Sequence, residues 1–167
     1  MRILLARRYP FRAPWAFEIG GRIPLVYHRN PDGSLCLGPP IDVERRFQDE
    51  PSLLGFTRNL LIPFLYGFSC TLSGHEPPFG QYDHGGAGLV QFYTQEIGLS
   101  SAVEVARFLQ ALANGVRGHW DCPCGSSRRV RACHAAKLFE LAGLQDRAAF
   151  ENEAAQVDAY LRTLGRA

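Results

Sequence analysis

Apolar positions change their spacing along the chain. Between residues 1 and 38 they fall in short runs, Ile3–Leu5, Trp15–Ile19 and Ile23–Tyr27, broken by Tyr9-Pro10 and Gly20-Gly21. Runs of this length bounded by Pro and Gly predict strands, and the Gly-Gly pair between two of them predicts a hairpin. Pro51–Phe68 then carries Leu53, Leu54, Phe56, Leu60, Leu61, Phe64, Leu65 and Phe68 in a helical pattern, with Pro63 expected to kink or interrupt the helix. Ser73–Gly88 is rich in Gly, Pro and His and predicts a long ordered loop. Ser101 with Glu104 three residues on makes a capping box for a helix to about Val116, whose apolar stripe is Val105, Leu109, Leu112 and Val116. A cysteine cluster follows. The chain then predicts a short helix over Ala135–Ala142, a stop at Gly143, and a longer helix from Asp146 to Leu164. Strands first and helices after give the class α+β.

A length of 167 residues fits one domain, or one domain with a small appendage. The formal net charge of +2 argues against nucleic acid as a partner, because phosphate binding brings a strong basic excess. No apolar run approaches the roughly 20 residues that span a bilayer, so no membrane partner is expected. Met1–Leu5 is too short for a signal-peptide core. The five cysteines are odd in number and uneven in placement, unlike a secreted disulfide framework. They fit a reducing cytoplasm, one metal cluster and one or two free thiols.

The cluster is Cys122-Pro-Cys124-Gly-Ser, a basic stretch with Arg128, Arg129 and Arg131, then Cys133-His134. Zinc takes four donors in a tetrahedron, thiolate and imidazole being the usual ones. Cys122 and Cys124 flank one proline, so a tight turn can aim both sulfurs inward, and Cys133 and His134 close the site from the start of the next helix. His119 is a competing fourth ligand. Four protein donors make a closed, structural Zn2+ site with no position for water. The stretch resembles the zinc motif at the extreme C-terminus of the SecA translocation ATPase, C-P-C-G-S followed by a basic spacer and C-H or C-C. All four ligand positions match, and Ser127 stands where that motif more often has glycine. The arginine-rich loop reads as a surface for a protein partner.

A second candidate lies earlier. Two strands end in the polar turn Asn30-Pro31-Asp32-Gly33, which delivers Cys36 between two leucines, with His28 and Asn30 close by. A cysteine after a turn, near imidazole and amide groups, is a candidate nucleophile. On these facts alone a buried structural thiol reads equally well. The order of the pieces resembles the ubiquitin-conjugating enzymes, where Y-P-F-x-x-P leads to H-P-N, a turn and G-S-I-C-L. The counterparts are Tyr9-Pro10-Phe11-Arg12-Ala13-Pro14, His28-Arg29-Asn30 and Gly33-Ser34-Leu35-Cys36-Leu37, and the resemblance covers about residues 2–70. It implies a shortened conjugating-enzyme sheet packed on helices over residues 1–118, then a zinc knuckle over 119–137 and a helical tail over 138–167. It also implies a thioester on Cys36, with Asn30 donating toward the oxyanion or bracing the loop and His28 holding that loop. Divergent bacterial members of this fold stand beside anti-phage signalling genes. By that resemblance the cargo is the C-terminus of a cGAS-like nucleotidyltransferase or a ubiquitin-like protein, activated by an ATP-dependent enzyme. Arg29 in place of proline, eight positions from His28 to Cys36, and the lack of the family's first helix and first two strands depart from the pattern.

His75, Glu76, Asp83 and His84 form a further titratable group. His75-Glu76-Pro77-Pro78 cannot make the helix of a zincin motif. Asp83 and His84 could accept a proton from an amine attacking the thioester, or could simply bind their loop to the following helix. Cys70 is expected to be core, and Gly85-Gly86-Ala87-Gly88 lacks the strand and spacing of a dinucleotide loop. A rival reading of the whole chain is a zinc-stapled adaptor that docks partners without catalysis.

Overall fold

The computed structural model describes residues 1–78 and 82–165, a mixed α+β chain. Phe79, Gly80 and Gln81, part of the expected Gly/His-rich loop, lie outside the described residues. The chain divides into two compact units, Met1–Gln81 and Tyr82–Ala167, so the expected 1–118 span takes in residues of both.

In the first unit, strand β1 (Arg2–Leu4) pairs antiparallel with β2 (Trp15–Phe17), with Ile3 opposite Ala16. The Leu35 N–H donates to the Ala16 carbonyl at 2.8 Å, adding a rung beyond β2. The strand expected over Ile23–Tyr27 does not form. Pro24 has no N–H to give to a ladder, the Tyr27 N–H turns back to the Pro24 carbonyl at 3.1 Å, and Leu25 and Val26 are exposed. Nor does Gly20-Gly21 close a hairpin, because the Glu18 carboxylate takes the N–H of Gly20 at 2.6 Å and of Gly21 at 3.0 Å.

Helix α1 (Pro40–Gln48) begins on a proline, where no intrahelical N–H is needed, and buries Ile41 and Phe47. Helix α2 (Leu53–Phe56) is capped by the Ser52 hydroxyl, which accepts from the Gly55 N–H at 3.0 Å. It runs through a π-helical turn (Thr57–Leu61) into α3 (Ile62–Leu72). The proline expected to kink the helix is the reason for this arrangement. Pro63 has no N–H for the Asn59 carbonyl four residues back, and the Arg46 guanidinium donates to that oxygen instead. Gly55 is needed for close approach, since a Cβ there would stand 2.1 Å from the Glu50 carbonyl oxygen. The core gathers Ala16, Leu35, Phe47, Phe56, Leu60 and Phe68, with Tyr27 packed against it.

The second unit is helical: α4 (Gly85–Ile97), α5 (Ala102–Asn114), α6 (Ala135–Ala142) and α7 (Arg147–Leu164). The expected Ser101 cap forms, accepting from the Glu104 N–H at 3.2 Å, and Asp146, read from sequence as the first residue of the last helix, is instead its cap, accepting from the Ala149 N–H at 3.0 Å. The capping-box carboxylate of Glu104 accepts from the Ser100 N–H at 2.9 Å. Helix α7 packs on α4 and α5 around Phe92, Tyr93, Phe108, Phe150 and Val157. Gly85–Gly88, taken from sequence as the end of a loop, is the first turn of α4. A Cβ on Gly86 would meet the Gln156 carbonyl oxygen at 2.3 Å, so this glycine sets how closely α4 lies on α7. Inside this packing Glu153 is 1% exposed, accepting from Tyr93 Oη at 2.9 Å and Gln145 Nε2 at 2.8 Å.

Candidate functional site

The segment between α5 and α6 folds into a knuckle with little apolar content of its own. Its backbone closes through Cys122 N–H to the Arg128 carbonyl at 2.8 Å, Val130 N–H to the Trp120 carbonyl at 2.9 Å, and Gly125 N–H to the Cys122 carbonyl at 3.1 Å. Gly125 at φ 76° and Ser127 at φ 57° are left-handed, which explains why glycine suits position 127. A 3-10 turn (Val130–Ala132) buries Val130 and leads to His134 at the head of α6.

This frame brings Cys122, Cys124, Cys133 and His134 together, with one donor atom of each within 4.8 Å of the others. Cys122 Sγ lies 3.2 Å from His134 Nδ1, Cys133 Sγ 3.3 Å from the same nitrogen, and Cys124 Sγ 3.6 Å from Cys133 Sγ. A tetrahedral ion with Zn–S of about 2.3 Å and Zn–N of about 2.0 Å sets its donors about 3.5–3.8 Å apart. The four side chains therefore fit a metal ion. Phe108 meets the His134 ring edge-on at 6.2 Å and steadies it. Burial raises the Cys122 thiol. For Cys124 burial acts in the same sense, but the Ser126 hydroxyl and N–H outweigh it and lower the pKa. Arg128 Nη2 donates to Cys133 Sγ at 3.2 Å, and Ser126 Oγ lies 3.3 Å from the same sulfur, so polar groups converge on the thiols. His119, the competing ligand, is exposed and outside the group.

Cys36 stands at the end of a narrow ladder in the first unit. The Gly33 N–H closes the turn onto the Asn30 carbonyl at 2.9 Å, and the Asp32 carboxylate accepts from the Ser34 N–H at 2.9 Å and hydroxyl at 2.6 Å. The chain then returns antiparallel, with Asn30 N–H to the Ser34 carbonyl at 2.9 Å and Cys36 N–H to the His28 carbonyl at 2.7 Å. His28 reaches this position at φ 37°, a left-handed conformation for a non-glycine residue. One of its ring nitrogens lies within 4.8 Å of Cys36 Sγ. Asn30 Nδ2 is directed into the loop, to Ser34 Oγ at 3.0 Å and the Leu35 carbonyl at 3.4 Å. Cys36 is half-buried, and burial pushes its thiol up against the opposing pull of the Gly38 N–H. Asp32 is held below the usual carboxylate range by the Ser34 hydroxyl and N–H.

Asp83 and His84 belong to the second unit and introduce α4, both exposed. Asp83 exchanges hydrogen bonds with Gln91, whose Oε1 takes its N–H at 2.9 Å and whose Nε2 donates to its carboxylate at 2.6 Å. His75 and Glu76 line an open cavity of about 490 Å³ with Tyr66, Ser69 and Cys70. Cys70 is half-exposed at this rim and is not the core residue expected. Sequence reasoning missed Glu18, Arg29 and Ser34 as braces of the Cys36 loop. Only the Asn-Pro-Asp-Gly-Ser turn signalled Ser34, whereas the Glu18–Arg29 pair has no local signature. No protein-family model matches the chain, and no curated protein or solved structure matches it significantly.

Proposed function

We propose that the protein is an acyl carrier resembling the ubiquitin-conjugating enzymes, with Cys36 as acceptor and a structural zinc ion held by Cys122, Cys124, Cys133 and His134. The observation that carries the acyl reading is the delivery of Cys36 by a closed polar turn, with its N–H on the His28 carbonyl and the Asn30 amide bracing the loop. The sulfur attacks the carbonyl carbon of a donor thioester, and the donor's thiolate leaves and takes up the proton that Cys36 gives. An amine or second thiol then attacks the same carbon, loses its proton to solvent or a nearby base, and expels the Cys36 thiolate. The raised thiol of Cys36 works against this reading, since a smaller thiolate fraction slows its attack and a more basic thiolate is a poorer leaving group, so the transfer needs a base to take the thiol proton. The cargo is the activated C-terminus of a nucleotidyltransferase or ubiquitin-like protein, delivered by an ATP-dependent enzyme, in the bacterial cytoplasm.

The donor set of three thiolates and one imidazole selects zinc, and four protein ligands leave no open position for catalysis at the metal. The ion's chemistry is to tie α5 to α6 through a knuckle too small to hold itself. Intact mass under non-reducing, mildly acidic conditions, on protein co-expressed with its genomic neighbours, tests the carrier. A thiol-labile adduct absent from Cys36→Ser is expected, and its mass gives the cargo. The half-burial of Cys36 favours the rival adaptor, for which Cys36→Ser keeps full function and no adduct appears.

A further inference from the structure

We propose that Arg29 is a positioning residue for Cys36, locking the turn that delivers the thiol. The inference rests on the carrier reading and deepens it. The Arg29 guanidinium is buried and joins three segments. Nη2 reaches the Glu18 carboxylate at 3.2 Å and the Ile23 carbonyl at 2.9 Å, and Nη1 reaches the Gly33 carbonyl at 3.4 Å. Gly33 is at the tip of the turn that precedes Cys36, and Glu18 lies just after β2. The ladder is thus tied at both ends, by Leu35 N–H to Ala16 at its base and by Arg29 at its tip. Side-chain exposures of 9% for Arg29 and 7% for Glu18 place the ion pair out of water. Arg29 Nε is also buried and has no hydrogen-bond partner among the described residues.

A buried guanidinium with an unsatisfied N–H is a poor source of stability, since an apolar side chain in its place would leave no polar group unpaired. What it supplies is a fixed geometry. Glu18 is already anchored by the Gly20 and Gly21 N–H groups, so its carboxylate is a rigid post to which the guanidinium binds. Arg29 pairs across the ladder with Leu35, one residue before Cys36, so any release of Arg29 is felt at the thiol. The His-Pro-Asn pattern of the conjugating enzymes has proline here. In this chain a side-chain clamp stands at that position instead.

The test is the rate and pH dependence of Cys36 alkylation by iodoacetamide, read by peptide mass in folded wild type, Arg29→Met, Arg29→Lys and Glu18→Gln. Arg29→Met is expected to speed alkylation several-fold at neutral pH, because a released turn opens the half-buried thiol to reagent and relieves the burial that raises it. Its pH profile should move toward that of an ordinary thiol. Arg29→Lys should restore much of the wild-type profile by keeping the charge beside Glu18. A purely structural Arg29 would lower the melting temperature while leaving rate and profile unchanged below it, which would overturn the proposal. Should Arg29→Met fail to fold, Glu18→Gln decides, because it removes the ion pair while leaving both carbonyl bonds. Adduct formation in co-expression separates the two claims. A wild type without adduct, but with Arg29-dependent alkylation, sinks the carrier and keeps the clamp; equal loading of wild type and Arg29→Met sinks the clamp and keeps the carrier.

Discussion

Glu18 and Cys36 are braced by the same loop, and their surroundings favour opposite protonation behaviour. Burial works to raise Glu18, but the N–H groups of Gly20, Arg22 and Gly21, with Arg29, outweigh it and hold the carboxyl below 4.5. Asp32 is likewise held below 3.8 by Ser34. For such depressed carboxyls the stability is present above the unfolded values and is lost as pH falls through the lower folded ones. An acid titration of the first unit by circular dichroism should therefore lose signal only below the ordinary carboxylate range, and Glu18→Gln with Asp32→Asn should weaken that dependence. Cys36 is the reverse case, since burial raises its thiol above 9.0. Its alkylation at neutral pH should be slower than that of free cysteine and should still be rising beyond pH 9.0, whereas a plateau near neutrality would mean an activated thiolate. At this scale the turn was readable, because Asn-Pro-Asp-Gly-Ser closes through its own hydrogen bonds. The buried Glu18–Arg29 pair, eleven residues apart, was not.

Among the elements, sequence reading succeeded where a helix carries its own punctuation and failed where a neighbour decides. Ser101 and Asp146 mark their helices directly. Pro63 announced an interruption, but its form, a π-helical turn with Arg46 on the Asn59 carbonyl, depends on α1 lying alongside. Arg46→Ala should destabilise the first unit by about 1–2 kcal/mol, leaving that oxygen without its charged donor, as denaturant titration would read. Gly86→Ala should destabilise the second unit by about 1–3 kcal/mol, because the added methyl must push the Gln156 backbone away. Tyr93→Phe should also destabilise it, by about 1–3 kcal/mol, since Glu153 then keeps only Gln145 of these two donors. Burial, Glu153 and the bond between them hold the Tyr93 hydroxyl well above its ordinary pKa, so its ultraviolet titration should be delayed until unfolding.

On the scale of the molecule, metal removal should be local. The protein should carry one zinc per chain by elemental analysis, and Cys124→Ser or His134→Ala should lose it. Structural zinc of this type contributes an apparent ~10–16 kcal/mol to isolated knuckle peptides, which are unfolded without it. Helices α4, α5 and α7 have a core of their own around Tyr93, Phe108 and Phe150. Chelation should thus abolish hydrogen-exchange protection over residues 118–134 while most helical signal persists. A protein that melts entirely on chelation would place the metal at the centre of stability. The mixed α+β class was legible in the order of apolar runs and helical stripes, and the division near residue 81 was not.

What the chain determined alone is whatever closes within a few residues: the helix caps, the Asn-Pro-Asp-Gly turn, and four metal-ligand types at a spacing that one knuckle can converge. These need no distant partner, so their information is local in the sequence. Tertiary structure alone decided that Gly85–Gly88 opens a helix pressed on α7 and that Glu153 is buried with Tyr93. It also decided that Arg29 clamps the Cys36 turn. In each case the deciding contact is a hydrogen bond or a close approach between segments, and no local spacing of residue types records which carbonyl or carboxylate will be nearby once the core has packed.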